Sequence, residues 1–232
     1  MYIPLGIAMA LFARNKFMRI AGFLLACSLS PVLIWNSSRT SWFSVLAASL
    51  FVSFLHDRKK LLFISCVIGA AVIFLTTRYT DKLLAVINPM GWGNRVELWK
   101  SAFAVWQDFP ILGAGTGMYE KLLYTYGSSA GYSEGFGHLH AHNVYLEVAA
   151  ETGIIGLAAF CAVFVSLFKR VRAVMARFPG QDDLRAFIIG LSGLVFSSLL
   201  LAFTSTVIIV GVHDVVVFWF SLGLLSGLIT SM

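Results

Sequence analysis

The sequence predicts an all-α fold: a polytopic transmembrane helical bundle of about six spans plus a partial N-terminal one, with one large extracytoplasmic loop. Three observations predict it. Mean hydropathy is +0.85, with 59% of residues hydrophobic and only 12% charged, and a soluble domain of this size cannot hide so much apolar surface. The apolar residues fall in runs that approach the roughly 20 residues a helix needs to cross the hydrocarbon core. The Lys and Arg residues gather in alternate loops between those runs, as topology signals do.

Taken in chain order, residues 1–12 are apolar but too short to cross, and read as the end of a helix whose beginning is absent or as an interfacial segment. No charged region precedes them, which argues against a signal peptide. Full spans are expected at 17–35, 41–55, 61–77, 152–168, 186–203 and 214–230. The apolar stretch 186–230 is too long for one span, and its break falls between the Thr204-Ser205-Thr206 and Gly211-Val212-His213-Asp214 clusters. No internal repeat, heptad or low-complexity tract is visible, so residues 1–232 read as a single membrane domain.

Arg14/Lys16/Arg19, Arg58/Lys59/Lys60 and Lys169/Arg170/Arg172/Arg177/Arg185 mark the cytoplasmic side, because cytoplasmic loops retain Lys and Arg. The 78–151 loop is then extracytoplasmic and carries the candidate site. The net charge of +6 is the sum of a strongly basic inner side and a slightly acidic outer side. It is membrane topology, and no nucleic-acid partner follows from it. Cys27, Cys66 and Cys161 lie inside apolar runs without CxxC spacing and read as small buried hydrophobes.

Within the loop, Val96 to Gln107 has helical character and Pro110 stops it. PILGAGTGMYEKLL is turn-like at Gly113, Gly115 and Gly117 and then restarts as a helix; 127–137 is a glycine- and serine-rich tip. HNVYLEVAAETGIIG places His142, Tyr145 and Glu147 near the start of a helix that meets the membrane at Gly153. GAGTG has no following Lys-Ser/Thr, no preceding strand and no access to cytoplasmic ATP, so a tight turn or close backbone approach explains it better than a phosphate loop. Tyr119, Tyr124, Tyr126 and Tyr132 suit either sugar stacking or interfacial anchoring.

Arg39 lies in SSRTSW on the side poor in basic residues, where a guanidinium can bind a lipid phosphate; snorkelling at a helix end is the structural alternative. Arg95 opens an amphipathic segment with Trp99, Lys100 and Trp106, a pattern that fits a phosphorylated lipid head group or an interfacial anchor helix. His138, His140 and His142 alternate, but HxHxH has no clearly placed fourth ligand, which makes zinc a poor reading. A histidine next to Asn143 at a helix start can instead serve as general base or hydrogen-bond donor. Glu147 can orient a partner, and Glu151 reads as part of a solvated helix face.

Together, SSRTSW (37–42), NRVELWKSA with Pro110 and GAGTGMY (94–119), and HAHNVYLEVAAETGIIGL (140–157) resemble the O-antigen ligase and polymerase superfamily over roughly residues 30–170. The His-Asn-x-x-Leu-Glu…Glu-x-Gly-x-x-Gly end is the most specific piece. The resemblance implies a GT-C-like glycosyltransferase, multi-pass in the bacterial inner membrane with a periplasmic active face. Its donor would be a glycan on undecaprenyl diphosphate, and its acceptor the lipid A core, a growing glycan or a protein hydroxyl. It further implies that Arg39 and Arg95 engage the donor diphosphate and that His142 activates the acceptor or assists departure. His140 is then secondary, with Asn143, Glu147, Trp99 and Lys100 in support and neither metal nor cofactor required. Inversion at the anomeric carbon is expected. Family members have roughly twice as many spans, so the chain resembles their C-terminal half. A membrane transporter built around His213 and Asp214, or an inactive truncated fragment, is the alternative of a different class.

Overall fold

The computed structural model describes residues 2–35, 39–56, 90–127, 140–177, 182–206, 208–209 and 212–231. The expected span at 61–77, the Arg58/Lys59/Lys60 cluster, Cys66, Tyr132 and His138 lie outside the described residues, as do the side chains of Arg39 and His213. Eight helices are described: α1 Ile3–Phe12, α2 Lys16–Trp35, α3 Arg39–His56, α4 Met90–Asp108, α5 Met118–Tyr126, α6 Val144–Arg177, α7 Asp182–Leu201 and α8 Val212–Thr230. There is no strand among the described residues.

The all-helical expectation holds among the described residues, with α4 ending just before Pro110, α5 restarting at Met118 and a break between α7 and α8. By length and composition, two described helices can cross a membrane, Val144–Arg177 and Asp183–Leu201; Thr40–Leu55 and Asp214–Thr230 are shorter apolar helices. Beyond a break at Gly153, residues 154–177 of α6 rise roughly 36 Å at about 1.5 Å per residue, somewhat more than the roughly 30 Å hydrocarbon core requires. Its uncharged part is 152–168, between Glu151 and Lys169, so its first turns and its basic end both lie outside the crossing segment.

The chain divides into two compact units. One comprises Met1–Thr80, Ser166–Leu201 and Val212–Met232. In it α7 is apolar and buried nearly all round, as a central helix must be, and α1, α3 and α8 pack against it. The buried Ser192 and Ser198 hydroxyls donate to the carbonyls of Ile188 and Leu194 at 2.7 and 2.9 Å, which satisfies polar groups where water is excluded. Phe51 stacks on Phe196 with centroids 4.5 Å apart and meets Phe168 edge-on. α1 packs tightly against α2 and α7 with Ile3, Leu5, Ala8 and Phe12 buried, so it is part of the helical core, where an interfacial segment was one expectation. Asp183 accepts the N–H groups of Arg14 and Asn15 at 2.6 and 2.7 Å. That bond puts the basic α1–α2 turn at the same end of the unit as the start of α7, which agrees with the alternation of charge.

Cys27 and Cys161 are exposed, contrary to the expectation of burial. An apolar exterior is what a bilayer solvates, so an apolar run does not imply an inward-facing side chain.

The other unit comprises Asp81–Val165 and Ala202–Gly211. Its core is Leu98, Ala102 and Val105 of α4, Tyr119 and Leu123 of α5, and Ala141 and Ala150 around the start of α6. The segment after α7 closes this unit, with Val144 N–H donating to the Ala202 carbonyl at 2.9 Å.

Candidate active site

The His-Ala-His-Asn segment is an irregular turn that ends in the cap of α6. Asn143 is the N-cap: its Oδ1 accepts the Leu146 N–H at 3.1 Å and its carbonyl accepts the Glu147 N–H at 3.0 Å, which satisfies donors a helix start leaves open. His142, just before it, has φ of 49°. Left-handed backbone at a non-glycine residue costs on the order of 1–3 kcal/mol and concentrates at functional sites. The turn is therefore held against its own preference.

Glu147 does much of the holding. Its buried carboxylate reaches back over the cap, Oε1 lying 2.6 Å from His140 Nδ1 and Oε2 accepting the Ala141 N–H at 3.0 Å. Burial pushes the Glu147 carboxyl above its ordinary value, and the hydrogen bonds from His140 and Ala141 pull it back only in part. When Glu147 is ionised, Nδ1–H of His140 is the donor and Nε2 is left as an acceptor; when it is protonated, the roles reverse.

His142 is pulled the other way from a cation. Burial, then the Arg95 guanidinium, then His140 hold its imidazole below the ordinary 6.5. At neutral pH it is an uncharged ring, the form a general base needs. Arg95, half-buried on α4 one turn ahead of buried Leu98, is thus close enough for its charge to act on the histidine.

The described structure brings His140, His142, Asn143, Glu147 and Arg95 together. Trp99 follows Arg95 by one turn and is half-buried, whereas Lys100 points outward and pairs with Glu97 at 2.8 Å in an exposed ion pair. Arg39 heads α3 in the other compact unit. Among the described residues no three His, Cys, Asp or Glu side chains gather as a metal-ligand set.

Glu151 departs from its expected solvated role. Its Oε1 accepts the Tyr119 N–H at 3.3 Å and its carbonyl accepts the Gly115 N–H at 2.9 Å. A carboxylate at the last charged position before an apolar run is the signal that could have marked it. Tyr119 is likewise no sugar-stacking platform: it is buried, and its hydroxyl donates to the Leu98 carbonyl at 2.9 Å. Tyr126 turns its hydroxyl to Asp108 at 2.5 Å, and Tyr124 is exposed.

Gly113 and Gly153 act by close approach. Gly153 breaks α6 with φ 65° and ψ −168°, and a Cβ there would collide with the Ile111 carbonyl; one at Gly113 would collide with the Glu151 main chain. Across this contact Ala114 N–H donates to Ala150 and Ile154 N–H to Pro110, each at 2.9 Å. The turn after α4 is thereby fastened to α6 below the histidine cap.

Residues 22–161 match the O-antigen ligase family, a stretch that holds both the Arg95 segment and the histidine cap. The chain belongs to the O-antigen ligase family. Members of that family are integral membrane proteins and glycosyltransferase-like enzymes of the O-antigen ligase and polymerase kind, and the apolar helices α6 and α7 accord with it. None of the curated proteins matches the chain.

Proposed function

We propose that this O-antigen ligase family chain transfers a glycan from undecaprenyl diphosphate to an acceptor hydroxyl at the periplasmic face of the bacterial inner membrane, attaching O-antigen to lipopolysaccharide. The observation that carries this reading is the uncharged His142 in a strained cap turn beside Arg95.

In the proposed reaction the acceptor hydroxyl oxygen attacks the anomeric carbon while His142 takes its proton. The bond from that carbon to the diphosphate oxygen breaks, and the configuration inverts. Negative charge grows on the departing diphosphate, where Arg95 stabilises it by charge-assisted hydrogen bonds in a partly dry site; the family resemblance assigns Arg39 a like role toward the donor. Neutral His142 can accept the proton; burial, with Arg95 adding to it, keeps the ring neutral. The His140–Glu147 pair fixes the rest of the turn, with Asn143 as cap and Trp99 on α4 one turn from Arg95; Lys100 stays at the solvent edge in its pair with Glu97. Six spans, among them 61–77, would carry this site, with 78–151 as the periplasmic loop.

The supporting experiment is complementation of a ligase-deficient strain. The parent chain restores surface O-antigen, and His142→Ala or Arg95→Ala abolishes it while insertion stays normal, the loss of a general base being worth about 10²–10⁴-fold. Retained attachment in both variants sinks the mechanism. Accumulated lipid-linked polymer in the variants identifies a ligase and accumulated single repeat units a polymerase; a glycosylated protein product identifies a protein O-oligosaccharyltransferase.

A further inference from the structure

The turn between α4 and α5 exposes a run of large apolar side chains: Phe109 at 43%, Ile111 at 62% and Leu112 at 74%. Beside them on α6 stand Ile154 and Ile155, also exposed. The two sets are fastened together, because Ile154 N–H donates to the Pro110 carbonyl at 2.9 Å and Ile155 N–H to that of Ile111 at 3.4 Å. Ile154 and Ile155 form the first turn of the uncharged 152–168 segment, the part of α6 that the hydrocarbon receives. Whatever solvates them also solvates Ile111 and Leu112.

We propose that the 109–112 turn is a membrane anchor, with Phe109, Ile111 and Leu112 set among phospholipid acyl chains at the outer edge of the hydrocarbon.

Two observations select lipid as the occupant. The patch is continuous with the exposed surface of α6, where Val165, three turns on from Ile154 and on the same side of the helix, is also exposed. Much of the turn's main chain is also paired within the protein, as irregular backbone at membrane depth requires. The break at Gly153 leaves the Ile154 and Ile155 donors without their usual partners in the helix, and the turn's carbonyls take them. Phe109 N–H in turn donates to Val105, and Gly113 N–H to Phe109, each at 3.0 Å. Asp108 and Tyr126, bonded to each other just before the turn and at the end of α5, supply the polar edge where the head groups begin. The anchor has a consequence for the site: from Gly153 to the cap at Asn143 is roughly 15 Å of helix, so the turn sets the height of the histidines above the hydrocarbon. The proposal rests on the membrane crossing of α6 and is independent of the glycan chemistry.

The test uses the full chain in phosphatidylethanolamine–phosphatidylglycerol vesicles, with Cys27, Cys66 and Cys161 replaced by Ser and a nitroxide attached to Leu112→Cys. Val163→Cys gives the hydrocarbon reference and Tyr124→Cys, on the exposed face of α5, the aqueous one. Collision of the Leu112 label with a water-soluble nickel chelate is expected to fall several-fold below that of Tyr124, with oxygen collision rising toward that of Val163. A Leu112 label that matches Tyr124 overturns the anchor, and a nickel-accessible Val163 label overturns it by removing the crossing itself. Leu112→Trp in the chain with its native cysteines provides a label-free check. Its added fluorescence should be quenched by lipids brominated on the acyl chain, and unquenched emission also counts against the proposal.

Discussion

His140 and Glu147 meet with Nδ1 and Oε1 2.6 Å apart across the first turn of α6. The other oxygen of the same carboxylate holds the Ala141 N–H, so one buried side chain fixes both the ring and the backbone of the turn that presents His142. Orientation and fold stability are therefore carried by the same group, and substitutions separate them.

Glu147→Gln keeps an oxygen for the Ala141 N–H but places an amide donor against His140 Nδ1, which forces the ring into the opposite tautomer. Transfer is expected to fall by up to about 10²-fold with little change in the melting temperature in detergent. Glu147→Ala leaves the buried Ala141 N–H unpaired and costs about 1–3 kcal/mol of stability besides. Full transfer by Glu147→Gln would show that the orientation of His140 does not matter.

Gly153 and Gly117 differ in what surrounds them. At Gly153 an added methyl meets the Ile111 carbonyl, and φ and ψ lie where side chains are hardly found. Gly153→Ala should lose well beyond the roughly 1–3 kcal/mol of backbone strain alone. Gly117 has φ of 73° with nothing within 4 Å, so Gly117→Ala should cost only about 1–2 kcal/mol. Equal melting points for the two variants would mean that the contact between the turn and α6 carries no energy.

Much of this arrangement was legible in local sequence. Pro110 stops α4, Met118 restarts a helix, and the polar His-Asn pair ahead of an apolar run marks the cap of α6. Those signals act through nearest neighbours, where capping and proline sterics operate. The return of Glu147 to His140, the use of Glu151 by the Tyr119 N–H and the burial of Tyr119 were not legible. Each depends on a turn whose path is fixed by His142 in left-handed backbone and by glycine contact between segments some forty residues apart. Periodicity contains no term for either. Nor could hydropathy say which way Cys27 and Cys161 face, because lipid and protein interior are both apolar.

Tyr119→Phe separates a core tether from a sugar platform. The hydroxyl donates to the Leu98 carbonyl inside the α4–α5 core, so its removal should cost about 0.5–1.5 kcal/mol and leave transfer close to the parent. Loss of transfer at unchanged melting temperature would instead place the ring against substrate.

The final prediction concerns acid. His142 is held below 6.5 by burial first and by Arg95 and His140 next. An unfolded chain takes up this proton at higher pH than the folded one, so His142 makes stability fall as pH drops from 6.5 through the folded value, with no such effect above 6.5. The neutral ring, and with it transfer, should persist below pH 6.5. Carbethoxylation of His142, followed by mass spectrometry of its peptide across pH, reads the midpoint without relying on activity. Arg95→Gln removes one cation but leaves burial in place, so the midpoint should rise toward 6.5 without passing it. A midpoint above 6.5 in the parent would mean that a carboxylate stabilises the imidazolium, and His142 could not then serve as the base; one that ignores Arg95→Gln would separate the arginine from the histidine it is proposed to serve.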